Sequence, residues 1–470
     1  RMGKRTGAAI VVLALLGGYV AWQQRDNVEL SYREQISRMA GSRAAREMRS
    51  VVADNNSRGL AAAELITLPI EVTEVVPGIW RASGVANTFV LATTEGLVIF
   101  DTGLVIQAGE QKQRLLQAAG NQPIAKVILS HSHADHVGGA KLWLSDTTEL
   151  ISHEAFPEAQ RYLTELNPYL HRRNRLLFPW IPEKPGSIPG LDFRGLMPDV
   201  LVDNDRPYSF TLGGREFAVI AAPGAEGADN LVLWLPKERV LLSGDFFGPQ
   251  FPQFPNLFTM RGEKARHAID YVTSIKRLRD LEAEVLLPSH LDAIRGAEQI
   301  EAGMAKIQRA VQSVHDQTVA GMNAGASLAQ LMDTVSLPED AVLSQSHGKV
   351  SWAVKTIWEY YTTWFHFDRT SELYATPLEA VLPELAPAID LNMALEQIDG
   401  HVAAQDYEKA LLLLELLGGV FGNTEELAPR WQQVLSALRQ GAVETTANDY
   451  EIYWLDAQLA KPGHSASSGP

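Results

Sequence analysis

Lys126-Val-Ile-Leu-Ser-His131-Ser-His133-Ala-Asp135-His136-Val-Gly-Gly139 is the segment on which the fold turns. An apolar run ends, and three histidines and an aspartate follow within six residues. Imidazole and carboxylate suit zinc and similar divalent ions. In extended backbone, alternate side chains share a face, so His131 and His133 can reach one ion together. Asp135 and His136 fall where the chain turns, which presents them to a second ion close by. Gly138 and Gly139 admit the tight backbone geometry that such a turn needs. The plain alternative is a polar loop after a buried strand. The motif's place directly behind a predicted strand argues for the metal instead.

His131-Ser-His133-Ala-Asp135-His136 is an H-x-H-x-D-H pattern, and on it the chain resembles the metallo-β-lactamase superfamily. The flanking sequence agrees. Short β-like runs at 71–76, 79–80, 87–91 and 96–100 are separated by glycine or polar residues. A helix is predicted around 107–119 and a strand over 125–129, a strand-helix-strand order that makes a βαβ unit. Asp101, closing the run at 96–100, is on its own a turn former. The resemblance implies that it buttresses a metal ligand. The β texture returns at 215–222, 230–235, 239–242 and 283–287. Between the two sets, residues 153–200 are rich in proline, arginine and aromatics, and read as an insertion shaping the mouth of the site.

The 470 residues suffice for two or three domains. A hydrophobic share of 46% and a charged share of 21% are those of a globular protein. The net charge of −15, with no long basic run, argues against a nucleic-acid partner. Cysteine is absent, which excludes disulfides and thiolate zinc sites. Arg1, Lys4 and Arg5 precede an uncharged stretch over 6–24, long enough as a helix to span roughly 28 Å of a hydrocarbon core about 30 Å thick. Residues 1–25 therefore read as an uncleaved membrane anchor, with a signal segment as the alternative. The expectation is an inner-membrane protein with its body in the periplasm. Residues 26–64 read as a juxtamembrane stalk, 65–296 as the catalytic domain, 297–460 as a helical dimerisation-type domain and 461–470 as a disordered tail. Helix-period apolar positions run over 297–324, 349–365, 390–416 and 424–440, and the pair at 403–418 and 425–439 is tetratricopeptide-like.

A two-metal hydrolase needs more ligands than the first motif supplies. Three candidates follow later strands in order: Glu226 in Pro223-Gly-Ala-Glu226-Gly-Ala-Asp229, Asp245 in Leu241-Leu-Ser-Gly-Asp245, and His290 in Val285-Leu-Leu-Pro-Ser-His290. Asp229 rivals Glu226 for its place. His153, His171, His267, His315, His347, His366 and His401 have no such placement and read as structural or solvent-facing.

Pro223-Gly-Ala-Glu226-Gly-Ala is similar to a Pro-Gly-Thr-Glu-Ala-Pro segment of the zinc-dependent alkyl sulfatases, the linear alkyl sulfatase (SDS hydrolase) family. Asn256-Leu-Phe-Thr-Met-Arg261-Gly262, Trp358-Glu-Tyr-Tyr-Thr-Thr-Trp364-Phe365 and Thr445–Trp454 also resemble segments of that family. The resemblance covers roughly 65–460. The chain ends before the sterol-carrier-like domain common in the family, 246–255 departs from the family's version, and 153–200 holds no match to its sulfate-binding tyrosine. The resemblance implies an αββα sandwich of two mixed sheets followed by an all-α domain. It further implies two divalent ions, zinc by preference: His131, His133 and Glu226 on one, Asp135, His136 and His290 on the other, and Asp245 bridging. Asp135 and Asp245 would then be catalytic, and Asn256 and Arg261 would hold sulfate oxygens. The implied reaction is hydrolysis of an alkyl sulfate ester, a small-molecule substrate, by hydroxide generated on the metal. A homodimer or a place in a membrane complex is the implied assembly. Two other readings remain open: a lactonase, thioesterase or phosphodiesterase of the same fold, and a membrane-anchored accessory subunit without turnover.

Overall fold

The computed structural model describes residues 68–464, apart from 179, 180, 182, 184–192, 259, 367, 368 and 462, together with 33–35 and 38–39. Two mixed sheets face one another. The first has seven strands in chain order, β1 (Val72–Val76), β2 (Ile79–Ala82), β3 (Thr88–Thr93), β4 (Gly96–Phe100), β5 (Ile124–Ile128), β6 (Glu149–His153) and β7 (Val200–Val202). Its first four strands pair antiparallel and the rest parallel. The second has six: β8 (Tyr208–Leu212), β9 (Arg215–Ala221), β10 (Leu231–Leu235), β11 (Val240–Gly244), β12 (Val285–Pro288) and β13 (Ile294–Arg295). There only β11 and β12 run parallel.

The uninterrupted apolar strands follow from burial on both faces. On β4, Val98 and Phe100 enter the core between the sheets, while Leu97 and Ile99 enter the outer layer. On β10, Leu231, Leu233 and Leu235 point between the sheets, and Val232 and Trp234 point outward. Helices α1 (Val105–Ala119), α2 (Ala134–Val137) and α3 (Ala140–Trp143) lie in the first half, and Leu115 and Trp143 pack on the first sheet's outer face. Helices α4 (Phe156–Glu165) and α5 (Asn167–Leu177) follow β6. On the second sheet's outer face sit α6 (Ala268–Arg279), α7 (Ala297–Asn323), α8 (Leu328–Thr334) and α9 (Val350–Thr362), through Tyr271, Ile300, Val311, Leu331 and Val354. This is the αββα sandwich that the motifs imply. Phe246, Phe247 and Phe254, in the stretch after Asp245, belong to this same core.

The last four helices, α10 (Leu391–Ala403), α11 (Tyr407–Phe421), α12 (Ala428–Thr445) and α13 (Asp449–Leu459), close a separate core around Ile398, Leu414, Trp431, Val434 and Leu455. The helix-period stretch over 390–416 is divided between α10 and α11 at Gln405, which is left-handed with φ of 60°. The break lets α10 and α11 turn their apolar faces to one core. At the start of the predicted tail, His464 is buried and stacks on Trp431 at 4.1 Å.

The membrane placement is corrected. The stretch over 6–24 and nearly all of the stalk at 26–64 lie outside the described residues. Among the described residues no helix is long and apolar enough to cross a membrane. The longest, α7, carries Glu298, Glu301, Lys306, Arg309 and Asp316, each expensive in a bilayer. Inner-membrane anchoring with a periplasmic body is therefore withdrawn.

Candidate metal centre

The site lies at one end of the two sheets, where Leu231 N–H donates to Ser130 O at 2.7 Å and Asn87 N–H to Ser289 O at 2.6 Å. His131 and His133 follow β5, His136 is on α2, Asp245 follows β11 and His290 follows β12. Gly139 is demanded by space: a Cβ there would lie 2.3 Å from Thr102 O and 2.4 Å from Ala108 Cβ. The α2–α3 turn thereby packs against the Asp101 loop.

Two groups of donor atoms result, each with all its atoms within 4.8 Å of one another: His131, His133 and Asp245, and Asp135, His136 and His290. Asp245 also stands between them, with Oδ2 3.2 Å from His136 Nε2 and Oδ1 3.1 Å from His290 Nε2. His131 Nε2 and His133 Nδ1 are 2.8 Å apart.

The far side of each ring is engaged. Asp101, buried with a left-handed φ of 56°, accepts from Ser130 N–H, Ser130 Oγ and Ser289 Oγ, and pairs with His136 Nδ1 at 2.8 Å. That fixes Nε2 of His136 as the ring nitrogen facing the site. Ser130 Oγ lies 2.9 Å from His131 Nδ1, and Val85 O is 2.5 Å from His290 Nδ1. Burial alone would depress His136 and His290, but the carboxylates of Asp245 and Asp135 outweigh it, joined at His136 by Asp101, and both are raised, His290 to about 9. His131 is lowered by its burial and by the neighbouring His136 and His133. Two buried atoms, His136 Nε2 and Asp245 Oδ1, have no hydrogen-bond partner among the described residues. Imidazole nitrogens and carboxylate oxygens converging so closely, two of them unsatisfied, form a donor set that fits divalent ions.

Glu226 is placed beside the first group and not within it. Its two oxygens are held by the buried fork of Arg266 at 2.8 and 2.9 Å, and Oε2 also accepts from Arg261 at 3.1 Å. Oε2 is 3.6 Å from His133 Nδ1. Its burial would raise the carboxyl, but Arg266 leads the groups that hold it well below the usual range. Asp229 is buried nearby, and burial raises it. Asn256 is buried, its carbonyl accepting from Arg266 at 2.5 Å and its Nδ2 unpartnered among the described residues. Arg261 reaches the site as the Gly262 turn (φ 96°) suggests, paired to Glu226 and Glu263 beside the Tyr450 ring.

Sequence reading missed four neighbours. Arg266 and Glu263 form, with Glu226 and Arg261, a buried four-charge network. His347 Nε2 comes within 3.9 Å of Glu226 Oε1, and Tyr450 packs beside it, their rings 5.3 Å apart. Glu263 and Arg266 look like surface charge in sequence, and His347 and Tyr450 lie far along the chain. Only the spacing of Glu263 and Arg266 behind Arg261 hinted at a charged loop. Of the remaining histidines, His267 stacks on Tyr360 beside the site and His315 pairs with Tyr361 away from it. Helices α4 and α5 clasp the loop that carries the network: Tyr162 Oη donates to Gly262 O at 2.6 Å, and Arg173 Nε to Met260 O at 2.9 Å. A cavity of about 280 Å³ abuts this layer, lined by Ala159, Tyr162, His133, Asp229 and Tyr360 among others.

Residues 82–290 match the family model of the metallo-beta-lactamase superfamily. Residues 82–290 thus form a domain of that superfamily. It is 29% identical over 301 residues to the linear primary-alkylsulfatase of Pseudomonas sp. (strain ATCC 19151), covering 58% of this chain and 55% of the relative. It is 23% identical to the alkyl/aryl-sulfatase BDS1 of Saccharomyces cerevisiae (strain ATCC 204508 / S288c), covering 70% of this chain and 53% of the relative. The chain thus spans about half the length of these two curated relatives, 55% and 53%. The solved structure of the stereoselective inverting sec-alkylsulfatase Pisa1 from Pseudomonas sp. superposes with a TM-score of 0.70 at 20% identity, covering 85% of this chain and 67% of that one. That likeness is one of fold, and it takes in the helical C-terminal region as well as the sandwich.

Proposed function

We propose that the chain is a sulfuric ester hydrolase that takes small alkyl sulfates and holds two divalent ions, zinc by preference. The observation that carries this is the pair of facing donor groups, His131/His133/Asp245 and Asp135/His136/His290, joined through Asp245. Glu226 is the further candidate for the first ion. When bound, such ions lower the pKa of water to near neutrality and offset charge on the reacting ester. The chain's own residues supply orientation. Asp101 and Ser130 set the imidazole faces.

Recognition of sulfate falls to Asn256 and Arg261. Asn256 brings a buried amide Nδ2 without a partner, held in place by the Arg266 bond to its carbonyl. Arg261 brings positive charge on a planar fork. The alkylsulfatase relatives support this choice over other esters. A panel of dodecyl sulfate, a homoserine-type lactone, a thioester and a phosphodiester, offered to zinc-loaded protein, tests it. Sulfate release should be the fastest reaction. Faster turnover of any other ester would replace the sulfatase reading with that chemistry.

A further inference from the structure

We infer that Glu263 is a positioning residue for His133, fixing which ring nitrogen faces the first ion; this rests on the reading of His133 as a ligand. Four histidines ring the site, and each has one nitrogen turned inward and one held from behind. Behind His131, His136 and His290 stand Ser130 Oγ, Asp101 and Val85 O, all on or between the strand ends. Behind His133 stands Glu263, its Oε2 3.1 Å from Nε2.

The consequence is a reversed ring. His131, His136 and His290 turn Nε2 inward, whereas His133 turns Nδ1 inward, 2.8 Å from His131 Nε2. A neutral imidazole carries its proton on one nitrogen only. With Nε2–H donating to Glu263, the Nδ1 lone pair is left for the ion, the arrangement Asp101 enforces at His136 with the nitrogens exchanged. Glu263 is itself fixed by Arg261 Nε at 3.2 Å and Arg266 Nη2 at 3.1 Å, and the His133 and Glu263 side chains are only 11% and 16% exposed. The fork of Arg266 therefore locks Glu226 and Glu263 in register, and through Glu263 it locks His133.

The test uses the full chain and Glu263→Ala and Glu263→Gln, the latter keeping the shape and an acceptor oxygen. Zinc affinity is read by chelator competition, and the His133 tautomer by ¹⁵N-histidine NMR of the metal-free protein. Glu263→Ala should weaken one of two zinc-binding steps about 10–100-fold, the range for lost outer partners of metal ligands. It should also mix the His133 tautomers, with Glu263→Gln intermediate in both. Wild-type affinity with an unchanged tautomer in a folded Glu263→Ala would overturn the inference, as would equal weakening of both steps. Wild-type protein that binds no zinc would instead overturn the metal reading itself.

Discussion

The two halves of the metal centre are held in different ways. The half with Asp135, His136 and His290 is braced from within the sandwich, by Asp101 at a strand end and by Val85 O. The half with His131 and His133 leans on a loop far along the chain, through Glu263, Arg266 and the Glu226 they restrain. A brace made of one carboxylate and one backbone carbonyl at the strand ends demands little beyond the sheet itself. A buried network of four charges holds only if every member is paired, since an unpaired buried charge is costly. The first half is thus rigid by topology, and the second by electrostatics.

Asp245 belongs to both halves, so its loss should be the most damaging. Asp245→Ala is expected to abolish binding of both ions and to reduce hydrolysis by more than the roughly 10–100-fold typical of a lost outer partner. Retention of one tightly bound ion, measured by elemental analysis, would show that the halves are independent. Arg266→Met targets the electrostatic half alone. It leaves Glu226 buried without its fork, and should destabilise the fold by about 3–5 kcal/mol in urea unfolding. A loss below about 1 kcal/mol would mean that water or Arg261 takes over.

The smallest effect sits on the helical side. Asn448 at the start of α13 donates to Gln345 O and His347 O, so this helix carries Tyr450 into the charged half. Asp449 beside it is raised by burial from 3.8 to about 6. A carboxyl raised on folding binds its proton more tightly in the native state. Stability is therefore full below about pH 4 and falls as pH rises towards 6. Asp449→Asn should remove that fall, stabilising at pH 7 by no more than about 2 kcal/mol and leaving stability at pH 3.5 unchanged. Equal gains at both pH values would assign the effect to helix capping instead.

What could be read from the sequence follows the same division. The strand-end ligands were legible because apolar runs mark β5, β11 and β12, and His131, Asp245 and His290 stand directly behind them. The charged half was not. Glu263-Lys-Ala-Arg266 has the texture of solvated surface, and its burial comes from α4, α5 and α13 closing over it. Arg261, expected to hold sulfate oxygens, is paired to both Glu263 and Glu226. The C-terminal helices were legible from their period. Their contribution to the site, through Tyr450 and the His347 loop, depends on docking that no local pattern encodes.

The most direct test of the two-ion centre is the metal content of the purified full chain after zinc repletion and removal of loose metal. Two ions per chain are expected, falling in His131→Ala along with hydrolysis. Fewer than about one ion per chain, with manganese or iron no better retained, would contradict the reading of these residues as a two-metal site.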